Sequence, residues 1–268
     1  MPELIEVEAY REVAEHAVGR RVGVVAAPDA WYLKGGIGAG MLSDLLVGTV
    51  LTAARRRGKL LMIDTDRGDV LGLRFGMTGR LVLLGPDGGA DPVVDPVGRL
   101  LYSSHRDRAV HHRFALGLTD GSRLVMVDPR RLGGVSLDPA EAKLGPDAAS
   151  LDDAGLEAAL RGVTAPLKAA LMNQHRLAGI GNLLADEILW RAHLSPVRPA
   201  SGLTGAERGA LSAVIGDTIA ELSQRGGSHT GDLQVARVRG GVCPRCGTAL
   251  RRDEVGGRTT YWCPAEQG

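Results

Sequence analysis

The 268-residue chain has no apolar run near the ~18 residues that a membrane-spanning helix needs, so an integral membrane protein is excluded. It also lacks a basic and then apolar leader behind Met1, and we therefore expect no secretion. Only three cysteines are present, all within the last 26 residues, which is a poor basis for a disulfide framework. A cytoplasmic protein in a reducing compartment is expected.

A strong net charge is absent as well, because 32 basic side chains stand against 31 acidic ones. This balance argues against a uniformly basic coat for nucleic acid. Lysine is scarce, with four residues among the 32, and the arginines cluster. Three arginines at 55–57 precede Lys59, six lie within residues 237–258, and Arg106 and Arg108 belong to a further group. Such basic patches can bind the phosphate backbone of a nucleic acid. Solvent-exposed surfaces without a ligand explain the arginine clusters equally well.

The first half of the chain alternates between apolar runs and turn signals. A helix is predicted over residues 3–18, because acidic side chains occupy its first turns and apolar ones recur at helical spacing. Six short apolar runs follow, at residues 22–27, 50–54, 60–64, 70–75, 114–118 and 124–127. Their spacing predicts an antiparallel β-sandwich or barrel up to about residue 137.

The composition changes near residues 138–150, and helices are predicted beyond that boundary. Two pairs have the spacing of capping boxes, Ser150 with Asp153 and Thr204 with Glu207. Asn182 is expected to cap a further helix. The segment 237–268 is too short and too polar to form its own core. Such a segment needs a cross-link for stability, commonly a bound metal ion. We therefore predict an α+β protein with domains at 1–137, 138–236 and 237–268.

The last of these domains contains a possible metal site. Cys243 and Cys246 are separated by 16 residues from Cys263, which Glu266 follows at the same two-residue spacing. This is the spacing of a zinc ribbon, with Glu266 standing where a fourth cysteine would complete the set. One structural zinc ion on these four residues is one interpretation. A metal-free β-hairpin of the same shape is the other, held by Trp262, Tyr261 and Leu250.

Three further features could carry chemistry. If Met1 is removed, Pro2 presents a secondary amine with a pKa of ~8, a nucleophile toward an electrophilic sugar carbon. Glu3 beside it can donate or shuttle a proton. Lys59 is a lysine among arginines, which suggests that an amine is required, although a surface lysine at a strand end fits as well. Glycines 179 and 181 before Asn182 could form a phosphate seat at a helix N-terminus, or an ordinary tight turn.

Together these motifs resemble the formamidopyrimidine-DNA glycosylase / endonuclease VIII family over essentially the whole chain. The matching segments are residues 2–8, with Ile5 for the family's second proline, Gly-Met-Thr-Gly at 76–79, Asp-Pro-Arg-Arg-Leu-Gly at 128–133, and residues 144–147, 179–187 and 256–261. The resemblance implies an N-terminal sandwich with a helix, a helix–two-turn–helix domain and a zinc-finger-like hairpin. It also implies a monomeric base-excision repair enzyme on damaged double-stranded DNA, a glycosylase and abasic-site lyase without a catalytic cofactor.

The resemblance also assigns the reacting groups. Pro2 would form the Schiff base at the deoxyribose C1′, and Glu3 would be the acid that opens the sugar ring. Lys59 would assist base release and β-elimination. Arg258, at the tip of the hairpin, would hold a phosphate and serve δ-elimination.

Other positions would contact the DNA. Asn182 and His111 match residues that bind phosphates, and Lys168 matches a lysine that lies near the DNA. Three side chains would fill the hole left by the flipped nucleotide: Met77, Arg130 and Leu132. A non-catalytic protein that binds damaged DNA on the same fold is the alternative function.

Departures from the family's pattern bear on the lesion. Leu132 stands where purine-specific members have phenylalanine, and residues 228–242 form a shorter segment than their lesion-covering loop. We therefore expect ring-opened purines or oxidised pyrimidines to be removed in preference to 8-oxoguanine, with an unusual adduct as a further possibility.

Overall fold

The computed structural model describes residues 2–86 and 109–268 of the chain. Arg106 and Arg108 lie outside these ranges. The chain divides into two compact units, Met1–Pro2 with Glu6–Ala140 and Glu3–Ile5 with Glu141–Gly268. Within the described ranges, no helix is long and apolar enough to cross a membrane.

Two four-stranded antiparallel sheets make up most of the first unit. One has the strand order β1 (Val22–Ala26), β6 (His112–Leu118), β7 (Arg123–Val127) and β5 (Arg80–Leu84). The other has the order β2 (Leu51–Arg57), β3 (Leu60–Thr65), β4 (Val70–Arg74) and β8 (Gly134–Leu137). Side chains from both sheets share one apolar core, including Ile63, Leu73, Leu116 and Met126. The predicted antiparallel sandwich is therefore confirmed.

Each of the six apolar runs in this half forms a strand, with small shifts at the ends. The first helix, α1 (Leu4–Glu15), is shorter than the expected 3–18, and the chain turns at Gly19, whose φ is +83°. Two strands and one helix had not been expected: β5, β8 and α2 (Ala39–Leu46). β5 is an uninterrupted buried run, and such a run gives no alternation to identify it.

Helices dominate the second unit. They are α3 (Asp153–Leu160), α4 (Leu167–Leu171), α5 (Asn182–Arg191) and α6 (Gly205–Gln224). An apolar core joins them through residues such as Leu171, Ile188 and Ile215. The hairpin of β9 (Arg251–Val255) and β10 (Arg258–Trp262) completes this unit.

Helix starts in this unit test the capping predictions. The capping box of Thr204 and Glu207 at α6 is confirmed. The box of Ser150 and Asp153 is wrong, because the carboxylate of Asp152 caps α3 by accepting from the Gly155 N–H at 2.7 Å. Asn182 is also not a cap: it is the first residue of α5, after Gly181.

Candidate active site and nucleic-acid interface

A small cleft in the first unit brings together two of the predicted catalytic residues. Pro2 and Lys59 line a volume of about 230 Å³ together with Phe75 and Leu132. Pro2 is buried and Lys59 half-buried. Lys59 lies in the turn between β2 and β3, directly after Gly58, whose φ of +58° suits a residue without a side chain. Pro2, which would carry the N-terminal amine once Met1 is removed, thus faces one partly apolar space together with a lysine.

The loops carrying Met77, Arg130 and Leu132 expose all three side chains. Met77 is 41% exposed and Leu132 50% exposed, which is unusual for large apolar side chains. Arg130 is exposed as well. The arrangement allows all three to enter a partner molecule.

Asp128 joins these two loops, a role that had not been assigned to it. It is fully buried, and its Oδ1 accepts from Thr78 Oγ1 at 2.7 Å and from the Arg130 N–H at 3.2 Å. Its Oδ2 accepts from the Gly133 N–H at 2.8 Å. In the sequence, the position of this aspartate at the start of the Asp-Pro-Arg-Arg segment was the feature that could have indicated its role. One carboxylate thus joins the two loops from which the exposed side chains project.

His111 ends the short 3-10 turn Ala109–His111 that leads into β6. It is half-buried, and its backbone oxygen accepts from the Asp128 N–H at 2.9 Å. The histidine is therefore attached to the same loop as Arg130.

Glu3 belongs to the second unit, where its carboxylate lies at the start of α5. Its two oxygens accept from the N–H groups of Gly181, Leu183 and Leu184 at 2.8, 2.8 and 3.2 Å. A negative group is stabilised at a helix N-terminus. Of the two interpretations of this segment, a phosphate seat on these backbone donors is contradicted, because the Glu3 carboxylate already accepts from them.

Asn182 and Arg258 remain as candidate phosphate ligands in this unit. Asn182 is half-buried, and within the described ranges its Oδ1 is a buried atom without a hydrogen-bond partner. Arg258 is exposed and begins β10, directly after Gly256 and Gly257, which have φ values of +58° and +72°. The tight turn presents the guanidinium at the end of the hairpin, as expected.

Lys168 does not lie on a DNA-accessible surface, so the expectation of a contact there is wrong. Its side chain is 0% exposed, and its Nζ lies 2.7 Å from Asp186 Oδ1. The same Nζ donates to the Thr259 oxygen at 3.1 Å and to Thr260 Oγ1 at 2.8 Å. Burial lowers the pKa of Lys168, and the Asp186 carboxylate opposes this shift. The three N–H donors of the ammonium thus have three acceptors inside the unit, two of them on the strand that begins at Arg258.

Asp186 completes this buried charge cluster. Its Oδ2 accepts from Arg237 Nη2 at 2.8 Å and from the Tyr261 N–H at 3.2 Å. Asp186 lies one turn after Asn182 on α5, so the cluster connects the helix that carries Asn182 with the strand that carries Arg258.

The three cysteines form one group, with Cys243, Cys246 and Cys263 Sγ atoms all within 4.8 Å of one another. The Sγ atoms of Cys246 and Cys263 are 3.5 Å apart. Zn–S bonds of ~2.3 Å in a tetrahedron separate sulfurs by about 3.8 Å, so the group fits one zinc ion.

The thiols differ in acidity. Burial raises the pKa of Cys263 to about 11. Burial also opposes ionisation of Cys243, but hydrogen bonds from Trp190 Nε1 and nearby backbone N–H groups lower its pKa to about 7.

Glu266, the expected fourth ligand, is not part of the cysteine group. Its Oε2 lies 3.3 Å from His193 Nδ1 and 3.7 Å from Arg245 Nη1. A carboxylate is attracted to a guanidinium and repelled by thiolates, because opposite charges attract and like charges repel. The described donor set is therefore three cysteines.

The short segment after α6 is fixed at its start. Glu187, fully buried on α5, accepts from the N–H groups of Asp232 and Leu233 at 3.0 Å each. Leu233 is 0% exposed. Beyond it the chain exposes Val235 and Val238, at 84% and 56%.

Comparisons with known proteins agree with this architecture. The family model described as the formamidopyrimidine-DNA glycosylase N-terminal domain matches residues 1–135. The H2TH domain of the same glycosylase matches residues 144–233, and a zinc finger found in FPG and IleRS matches residues 240–265.

Individual relatives cover the whole chain. A formamidopyrimidine-DNA glycosylase from Salinispora arenicola is 34% identical over 98% of this chain and 95% of its own length. One from Jannaschia sp. is 31% identical, with 100% of both chains covered. Lactococcus lactis Fpg, solved with DNA containing an oxidized pyrimidine, has a TM-score of 0.81 at 25% identity, with 99% of each chain covered.

Proposed function

Because the chain belongs to the formamidopyrimidine-DNA glycosylase family, we propose that it is a base-excision repair enzyme that removes damaged bases and cleaves the abasic site. The observation that carries this proposal is the cleft shared by Pro2 and Lys59. A non-catalytic DNA-binding protein needs neither an N-terminal amine nor a lysine facing one space.

The cleft supports amine chemistry at the sugar. Once Met1 is removed, the Pro2 nitrogen attacks C1′, the C1′–base bond breaks, and the base leaves with a proton. The C1′–O4′ bond then breaks as O4′ receives a proton from Glu3, and the resulting iminium acidifies the C2′ proton, whose removal expels the 3′ phosphate and nicks the strand. A second elimination expels the 5′ phosphate, which removes the sugar and leaves a gap in the strand. Lys59 assists base release and β-elimination.

Glu3 serves as the acid that opens the sugar ring in this scheme. Three backbone N–H groups hold its carboxylate in one orientation, which is the positioning that proton transfer requires.

The DNA backbone and the gap in the duplex are bound by different side chains. Arg258 and Asn182 bind one phosphate, and Arg258 also serves δ-elimination. His111 binds another phosphate. Met77, Arg130 and Leu132 fill the space of the flipped nucleotide, which offsets the free energy of unstacking.

The cysteine group holds one structural zinc ion and no catalytic cofactor is needed. Zinc on Cys243, Cys246 and Cys263 would cross-link the strands of a segment that has little core of its own. We assign the catalytic sandwich to residues 1–137, the DNA-binding helices to 138–236 and the hairpin to 237–268. The enzyme acts as a monomer in the cytoplasm, where thiols stay reduced.

Borohydride trapping on a duplex with an abasic site tests the enzyme. The wild type should form a covalent adduct, whereas Pro2→Gly, or a chain that retains residues before Pro2, should bind the duplex without being trapped. Pro86→Gly, in the loop after β5, is the matched control and should be trapped normally. Normal trapping of an N-terminally extended chain would overturn the role of Pro2, and binding without any wild-type adduct would favour the non-catalytic protein.

The preference among damaged bases depends on how much of the protein encloses the flipped base. The short segment 228–242 is fixed by Glu187 and leaves little chain to cover an oxidised purine. Leu132 supplies an apolar plug without an aromatic face. Selectivity should therefore fall more than the sugar chemistry, which is the same for every lesion.

Single-turnover rates on four duplexes test this preference. Abasic sites should be cleaved fastest, and formamidopyrimidine or a thymine glycol-type lesion should be excised before 8-oxoguanine. Release of 8-oxoguanine opposite cytosine as fast as the best base lesion would contradict the argument from the short segment.

A further inference from the structure

The first unit contains a second, larger cleft that the proposed reaction does not use. Its volume is about 530 Å³, and it lies beside the loop that carries Arg130 and Leu132. Trp31 and Val110 supply an apolar wall, and each is 68% exposed. Exposed large apolar side chains around a cleft commonly mark a binding site.

Trp31 is the unusual member of this cleft. The other two tryptophans, Trp190 and Trp262, are 4% and 7% exposed. Trp31 lies on the 3-10 turn Ala30–Tyr32, which is anchored at both ends. Asp29 Oδ1 accepts from the Trp31 N–H at 3.2 Å, and Tyr32 is fully buried. The indole is therefore an exposed ring on a fixed backbone.

One face of this indole is already covered. Lys34 Nζ lies 4.7 Å from the ring centroid and donates to the Trp31 backbone oxygen at 2.6 Å. Trp31 lines the cleft, whereas Lys34 does not. A flat aromatic ligand can stack on the exposed part of this ring.

Two arginines also line the cleft, Arg113 and Arg131. Arg131 Nε and Nη2 each lie 2.6 Å from an oxygen of Asp29, and Arg113 Nη1 lies 3.7 Å from the same carboxylate. Two guanidinium groups thus face one carboxylate, which leaves an excess positive charge. Arg131 has a φ of +58°, a left-handed conformation that is rare outside glycine, and the bidentate pair with Asp29 holds it there.

We propose that this cleft binds an unpaired nucleobase of DNA, stacked on Trp31, with the adjacent phosphate facing Arg113 and Arg131. Aromatic side chains stack on any base, but a base inside a duplex has no free face. Nucleotide flipping leaves a partner base without its pair, and Arg131 lies between two of the residues that we assign to that gap. The proposal rests on the proposed function for its source of unpaired bases.

The fluorescence of the full-length protein tests this directly, because Trp31 is its one exposed tryptophan. The probe is a lesion-free duplex with a single-nucleotide bulge, compared with the fully paired duplex and with free dAMP. The bulged duplex should quench the emission, and Trp31→Phe should lose that quenching. Quenching of equal size by the paired duplex, or by dAMP at the same concentration, would overturn the proposal.

Affinity provides the second measurement. Trp31→Ala should weaken binding of the bulged duplex by roughly tenfold or more, and binding of the paired duplex much less. Trp31→Phe should recover most of the affinity because it keeps an aromatic face. Met41→Ala, an exposed apolar residue on α2, is the matched control and should bind both duplexes like the wild type.

These results are separable from the proposed function. A wild-type protein that forms no borohydride adduct refutes the lyase, whatever Trp31 does. A wild type that is trapped, together with a Trp31→Ala variant that binds the bulged duplex normally, refutes the cleft alone.

Discussion

The two units hold their functional residues in different ways. In the first, Lys59, Met77 and Leu132 project from turns between strands that are held by an apolar core and backbone pairing, and one buried carboxylate, Asp128, joins the loops of Met77 and Leu132. In the second, four charged side chains are almost fully buried: Glu3, Lys168, Asp186 and Glu187. They connect helix ends, a loop and a hairpin that have few sheet contacts of their own.

This difference matters for tolerance of substitution. Apolar burial is non-directional, so many side chains share the task of holding the sandwich. A buried ion pair is directional, and removal of one partner leaves the other charge without compensation. We therefore expect the second unit to be the more sensitive to single polar substitutions.

The largest effect on stability is expected at Lys168. Lys168→Met should lower the free energy of unfolding by roughly 3 kcal/mol or more, because Asp186 Oδ1 loses its ammonium partner inside the unit. Lys59→Met, which removes a half-buried lysine from the first unit, should lower it by less than about 1 kcal/mol. Urea unfolding of both variants measures the contrast. Equal stability of the two would break the comparison.

A smaller effect is expected from crowding the Glu3 seat. A Cβ on Gly181 would overlap the Glu3 carboxylate, 2.5 Å from Oε1. Gly181→Ala should lower the free energy of unfolding by about 1–3 kcal/mol and reduce trapping at abasic sites, because the carboxylate must move. Gly216→Ala is the control, since nothing lies within 4 Å of its added Cβ inside α6. Gly216→Ala should raise the free energy of unfolding by up to ~1 kcal/mol. Equal destabilisation by Gly181→Ala and Gly216→Ala would argue against a specific role of the Glu3 contact with Gly181.

The smallest change in stability is expected at Arg258, where the effect should be on binding. Arg258→Ala leaves no buried partner, so the unfolding transition should stay unchanged. The affinity for an abasic duplex should fall, and the dependence of log K on log salt should become shallower by about one unit. Arg161→Ala, an exposed arginine after α3, should keep the wild-type slope. An unchanged slope in Arg258→Ala would mean that this guanidinium does not touch DNA.

Sequence patterns predicted what depends on local or periodic interactions. The apolar runs identified six strands, Thr204 and Glu207 identified the start of α6, and the cysteine spacing identified a group that can hold a metal. Each of these signals is contained within a few residues or one repeat of the backbone.

Partners distant in sequence were not predictable in the same way. Glu3 and Gly181 are 178 positions apart, and neither residue type indicates that a carboxylate ends on that helix. The burial of Lys168 depends on Asp186 and on Thr259 and Thr260, from separate elements. Glu266 had the right spacing for a ligand, but its carboxylate lies against the Arg245 guanidinium and the His193 ring.

The hydrogen bonds from Asp232 and Leu233 to Glu187 have a consequence for how the length of the following segment can vary. Glu187 secures the helical part before that point, and the exposed stretch with Val235 and Val238 begins just after it. Lengthening an exposed loop has a small entropic cost, about 0.6 kcal/mol for each doubling of its length. Insertions after Arg237, which is tied to Asp186, would therefore lengthen the exposed stretch without disturbing the helices, so that its length and the stability of the fold can evolve separately.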